Sequence, residues 1–210
     1  MGARRLPANP ARQTARLLRL LAVVVVKRGL CVVLMTTSIA GAPPSGATPS
    51  GPLTALVDAA TTRLLTADPA AAVKWKSGGS IEDPARVEQV MTAVSGDAVA
   101  HRIDPDYVKR VFADQINATE AVEYSRFAQW KLDPSLAPAT APDLSASRAA
   151  IDGLNHTMVD EIATQWAVLQ SPQCAAERDD TVEAVASARQ LDPLYRQALG
   201  AATRSYCADG

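Results

Sequence analysis

The sequence predicts an all-α protein, a single-domain bundle of about six helices with a disulfide stapling its terminal helical hairpin. Three observations carry that expectation. From Leu53 onward apolar residues recur at spacings of three and four, with no alternating run leading into a hairpin turn. Nine Phe, Trp and Tyr side chains in 210 residues are too few for an ordinary sandwich or barrel. Acid–proline pairs, Asp68-Pro69, Asp83-Pro84, Asp104-Pro105 and Asp192-Pro193, together with Ser171-Pro172, recur where helical runs begin. A proline at the first helical position gives up only an amide that had no partner, and the preceding Asp or Ser caps the others.

The first 47 residues read differently from the rest. Lys27 and Arg28 precede an apolar run, Leu30 to Ala40, followed by small residues and prolines. A charged start, a short apolar stretch and a small-x-small exit describe a secretory signal peptide. Ser38-Ile39-Ala40 and Ser45-Gly46-Ala47 both fit the cleavage rule. Residues 1–47 are therefore expected to be an export signal and leader linker, and residues 51–210 the folded domain of a secreted or periplasmic protein. The rival reading fuses the patch Leu17 to Val26 with the second run into a membrane anchor. It would place Lys27 and Arg28 in mid-bilayer at roughly 2.5–3.5 kcal/mol each, so no membrane association is expected once the leader is gone. Cys31 falls in the leader. The remaining pair, Cys174 and Cys207, implies a disulfide in an exported chain, the alternative being two buried free thiols.

Charge is unevenly placed. Residues 1–50 carry seven Lys or Arg and no acid, so residues 51–210 hold 14 basic and 22 acidic groups. A folded domain with that balance argues against a nucleic-acid partner, which usually needs a basic face.

The helices follow in order. Leu53, Leu56, Val57, Ala60 and Leu64 stripe the first, over about 53–66. A short one over about 69–77 stops at Gly78-Gly79, and another over about 84–100 turns Val87, Val90, Met91 and Val94 inward. The longest runs from Pro105 to about Lys131 through Val108, Val111, Phe112, Ile116, Val122, Phe127 and Trp130. Three prolines in 132–143 end it. Helix resumes near Leu144 and reaches about Leu169 through Ile151, Met158, Ile162 and Trp166. The last two runs cover about 172–189 and 193–207, so that Cys174 opens one and Cys207 closes the other.

Charges on inward stripes require a reason. On the longest helix Thr119 and Glu123 stand one turn apart among Ile116, Val122 and Phe127. Arg63 lies at the edge of the first apolar face, and Lys74 follows Val73. Arg86 stands four before Val90, and Arg148 three before Ile151. Buried or rim ion pairs with acids would be the bland explanation. Yet four cations outnumber the carboxylates on the same stripes, which points to a pocket for a small anion such as a dicarboxylate. Burial would favour the neutral form of Glu123, leaving it able to donate a hydrogen bond near neutral pH.

These residues sit in longer matching blocks. Leu56-Val57-Asp58-Ala59-Ala60, Lys74-Trp75, Ile81-Glu82-Asp83 with Arg86-Val87-Glu88-Gln89, and Ile103-Asp104-Pro105-Asp106-Tyr107-Val108 come first. Ala118-Thr119-Glu120-Ala121, Glu123-Tyr124-Ser125-Arg126-Phe127, Trp130-Lys131-Leu132 and Asp143-Leu144-Ser145-Ala146-Ser147-Arg148 follow. From about residue 53 to Cys207 the chain resembles the secreted chorismate mutases, the all-helical AroQ class, gamma subclass. The resemblance implies a cofactor-free and metal-free rearrangement of chorismate to prephenate, and a homodimer with each active site inside one chain. It implies that Arg63, Arg86 and Arg148 hold substrate carboxylates with help from Thr119. Lys74 and a protonated Glu123 would meet the ether oxygen, and Asp83 the hydroxyl end. Val90 stands where relatives carry a glutamine, so one polar contact is expected to be missing. The rival is a non-catalytic exported helical anion-binding or interaction protein.

Other features carry less. His101 and His156 lack a paired ligand at zinc spacing. Trp75, Trp130 and Trp166 read as packing. The sequons at Asn117 and Asn155 fall inside helices and read as chance. No glycine-rich phosphate loop or serine-nucleophile elbow is present.

Overall fold

Capping chemistry sets the helix starts in the computed structural model, which describes residues 49–207. The leader assignment for residues 1–47 lies outside the described residues. Helix α1 spans Thr54–Leu64 and α2 Ala67–Ser77, the latter ending at Gly78 with φ +67°, a left-handed turn that glycine adopts without strain. Helix α3 spans Pro84–His101, and the Asp83 carboxylate accepts the Arg86 amide to cap it. Helix α4, Pro105–Leu132, is capped by Asp104 and has 28 residues, about 42 Å of helix. A 3-10 turn, Pro134–Leu136, leads through the proline-rich segment to α5, Leu144–Thr164, capped by Asp143. The single turn α6 covers Trp166–Leu169, α7 Cys174–Ala188 and α8 Pro193–Ala202, the last capped by Asp192. A final 3-10 turn spans Arg204–Tyr206. No strand occurs among the described residues.

Four boundaries depart from expectation, one being the last helix, which stops at Ala202 and gives way to a 3-10 turn before Cys207 instead of running to 207. Helix α2 starts at Ala67, so Asp68-Pro69 lies within its first turn rather than capping it. Pro69 is tolerated there because first-turn amides have no intrahelical partner, and the Asp68 carboxylate instead accepts from Arg126 Nε at 2.6 Å. Helix α7 starts two residues after Pro172, and the Ser171 hydroxyl donates to the Val168 carbonyl instead of capping. The expected helix to Leu169 breaks at Gln165 (φ −99°, ψ 14°) into α5 and α6, where Trp166 meets the Tyr107 ring edge-on at 5.0 Å.

Helix α4 is the spine, packed against α8, α3 and α2, while α5 lies across α1 and α3. The core between them holds Leu56, Val111, Phe112, Met158, Ile162 and Leu199, all fully buried. A smaller cluster joins Ala71, Ala72 and Trp130 to Trp75 and Phe127, whose rings meet edge to face at 5.2 Å. The three tryptophans therefore pack. Cys174 at the start of α7 and Cys207 beyond the last turn are disulfide-bonded, with Cα atoms 5.6 Å apart.

The bridge closes a loop of 33 residues, which in the chain-entropy model is worth about 3–4 kcal/mol. Replacing both cysteines by serine is expected to lower unfolding stability by that amount in a urea titration. A midpoint equal to the parent's would contradict it.

Candidate active site

A cavity of about 660 Å³ opens between α1, α2, α3, α4 and α5, within the size range of small-molecule sites. Arg63, Lys74, Asp83, Arg86, Thr119, Glu123 and Arg148 all line it, so the structure brings every sequence-selected site residue to one wall or another. Ile81, Val87, Val90, Ile116 and Ile151 supply apolar wall between them.

Arg63 forms the deep end. It sits in the last turn of α1, where the stripe Leu56, Ala60, Leu64 turns that face into the core, and only 5% of it is exposed. Its Nε donates to Asn155 Oδ1 at 2.8 Å and its Nη1 to Thr119 Oγ1 at 3.5 Å. The Phe112 ring lies beneath, 5.9 Å from Cζ to centroid. Among the described residues no carboxylate makes an ion pair with it. Burial drives its pKa from the usual arginine value down to about 10, with the nearby Arg86 charge pushing the same way. Its hydrogen-bond partners are both neutral, and the Asp152 charge acts only from a distance.

The middle of the cavity holds an ion pair. Lys74 Nζ donates to Glu123 Oε2 at 2.6 Å and to the Ile81 carbonyl at 2.6 Å, with Glu123 only 3% exposed. Burial raises the Glu123 pKa, and this outweighs the opposing pull of Lys74, with Glu120 adding to the rise. Desolvation dominates because a carboxylate loses its water on an apolar helix face.

The mouth is a ring of alternating charge. Arg86 on α3 pairs with Asp152 on α5, and Arg148 on α5 donates from Nη2 to Asp83 Oδ2 at 3.1 Å. Asp83 uses its other oxygen to cap α3. Pairing with acids therefore accounts for Lys74, Arg86 and Arg148 but not for Arg63. Arg86 and Arg148 each engage one nitrogen of a five-donor fork, leaving the rest for an anion.

Sequence reasoning missed four residues. Asn155 holds Arg63, Gln115 donates to the Ala60 carbonyl at 2.7 Å, Asp152 holds Arg86, and Glu120 lines the cavity with a pKa raised chiefly by burial. The i, i+4, i+7 spacing of Arg148, Asp152 and Asn155 on α5 was the available signal. His101 and His156 face Asp160 and Asp97 respectively, away from the cavity lining. Asn155 is buried, so its sequon offers no acceptor in the folded protein.

Comparison with known proteins identifies the family. The family model for chorismate mutase type II matches residues 54–124, the stretch that carries six of the seven cavity residues selected from the sequence. The secreted chorismate mutase of Mycolicibacterium smegmatis is 58% identical over 176 residues, covering 84% of this chain and 97% of that protein. The chain belongs to the secreted chorismate mutases. Another member, from Mycobacterium tuberculosis, is 52% identical across 80% of this chain and 84% of its own length. Among solved structures, the chorismate mutase of Burkholderia thailandensis superposes with a TM-score of 0.71 at 30% identity, covering 74% of this chain and 99% of that one.

An uncompensated buried cation has a stability signature. Arg63→Met removes bonds to neutral acceptors but also a desolvated charge, so the unfolding free energy is expected to stay within about 1 kcal/mol of the parent's or exceed it. A loss above about 3 kcal/mol, the mark of breaking a buried ion pair, would contradict the assignment.

Proposed function

We propose that this cavity rearranges chorismate to prephenate, the isomerase reaction of the family, with Arg63, Lys74, Arg86, Glu123 and Arg148 carrying the chemistry. The observation that supports it most is the depth order of the charges: a lone guanidinium inside, an ammonium beside an acid whose pKa burial raises in the middle, and two half-satisfied guanidiniums at the mouth. Chorismate carries two carboxylates and an ether linkage that breaks during the shift. Arg63, oriented by the Thr119 hydroxyl oxygen, takes one carboxylate, while Arg86 and Arg148 grip the substrate from the mouth. Fixing both ends holds the ring and its side chain in the reactive conformer, which suits a unimolecular reaction.

Negative charge grows on the ether oxygen as the C–O bond breaks. Lys74 Nζ and a protonated Glu123 aim donors at that oxygen, and donors already in place stabilise the transition state more than the ground state. Asp83, anchored between the α3 amide and Arg148, receives the substrate hydroxyl end. Val90, buried in the wall one turn beyond Arg86, offers no polar contact there.

Residues 1–47 act as the export leader in this reading, supported by the Lys27-Arg28 start and the small-residue exit. The folded domain works as a homodimer, which the mass of the purified domain in solution would read.

Two outcomes test the chemistry. Lys74→Ala should lower kcat by about 10²–10³ with helical circular dichroism retained, and a kcat within a few-fold of the parent's would contradict its role. The neutral form of Glu123 is the active one and its pKa is raised, so kcat falls as pH climbs through that pKa. Glu123→Gln, a permanent donor, should flatten the alkaline decline, and a decline that persists in that variant would assign it to another group.

A further inference from the structure

Arg63 is held by two neutral acceptors, and the stronger of them is an amide that an acid of the same shape could replace. Asn155 is only 4% exposed, and its Oδ1 takes the Nε–H of Arg63 at 2.8 Å across 92 residues of sequence. Thr119 Oγ1 accepts from Nη1 while donating its own hydrogen to the Gln115 carbonyl at 2.8 Å, which fixes the hydroxyl as an acceptor towards Arg63. Gln115 in turn donates to Ala60, one turn before Arg63 on α1. The guanidinium is thus oriented through Nε and Nη1, and no carboxylate among the described residues forms an ion pair with it, the Asp152 charge acting only from a distance.

We propose that Asn155 is a positioning residue whose neutrality matters: it aims the Arg63 guanidinium into the cavity without cancelling the charge that a substrate carboxylate needs. A carboxylate at the same point would make a stronger, charge-assisted bond to Nε and would stabilise the fold. It would also put a negative charge beside the place where the substrate anion must sit. The arrangement therefore gives up local stability to keep an anion-binding group available. This inference rests on the proposed function, because it needs an anionic ligand in the cavity.

The test is the isosteric pair at this position, with chorismate turnover followed by ultraviolet absorbance and unfolding by thermal melt. Asn155→Asp keeps the shape and the acceptor, so it should fold with a melting midpoint equal to or above the parent's. Its KM should rise roughly 10- to 100-fold, the worth of a charge-assisted bond, with kcat changed far less. Asn155→Ala, which removes the acceptor but adds no charge, should raise KM by a smaller factor. A KM in Asn155→Asp within about 3-fold of the parent's would overturn the proposal. So would a lower melting midpoint with kcat and KM moving together, the mark of a merely structural role. An unsubstituted chain without turnover contradicts the proposed function itself, whereas an active parent with an indifferent Asn155→Asp contradicts only the role given to Asn155.

Discussion

A guanidinium buried without a counter-ion is the constraint on which the rest of this structure depends. Taking a cation out of water is costly, and Arg63 is deeply buried with only neutral partners among the described residues. Such a group persists where its environment supplies partial compensation, here an amide oxygen, a hydroxyl and the face of Phe112. The depressed pKa records the remaining cost. At neutral pH the group stays charged, so an incoming anion gains the full attraction in a site of low dielectric.

The scaffold serves that arrangement. Helix α4 brings Thr119 and Glu123 to the cavity from one long rigid face, because a rise of about 1.5 Å per residue keeps residues one turn apart on the same side. Helices α1 and α2 present Arg63 and Lys74 from the opposite wall, and α3 and α5 close the mouth through two reciprocal charge pairs. Those outer pairs are part-exposed and contribute little to stability. They leave guanidinium hydrogens free and hold two arginines in register, so the mouth can exchange partners while the deep end stays fixed. The terminal hairpin and its disulfide lie away from the cavity lining and steady the far end of the bundle.

Much of this was legible in the sequence, for physical reasons that also mark where legibility stopped. Helical periodicity located every long helix because burial selects one face. Asp83, Asp104 and Asp192 cap as their Asp-Pro spacing indicates. Asp68 and Ser171 do not, because each side chain has a better partner, Arg126 in one case and the Val168 carbonyl in the other. The inward cations stood out because charge on an apolar stripe is anomalous. Asn155 and Gln115 did not, since a neutral amide on a helix is unremarkable until its partner is known, and that of Asn155 lies on α1. Lys74, Arg86 and Arg148 each have an acidic partner while lining the cavity, and of the four cations Arg63 alone has none among the described residues.

The most direct measurement is a crystal structure of the mature domain grown with prephenate, the dicarboxylate product. The account predicts one product carboxylate within hydrogen-bonding distance of the Arg63 guanidinium, with Asn155 still bound to Nε and the ring lying between Lys74 and the cavity mouth. A product molecule seated elsewhere, or in this cavity with no anion on Arg63, would contradict it.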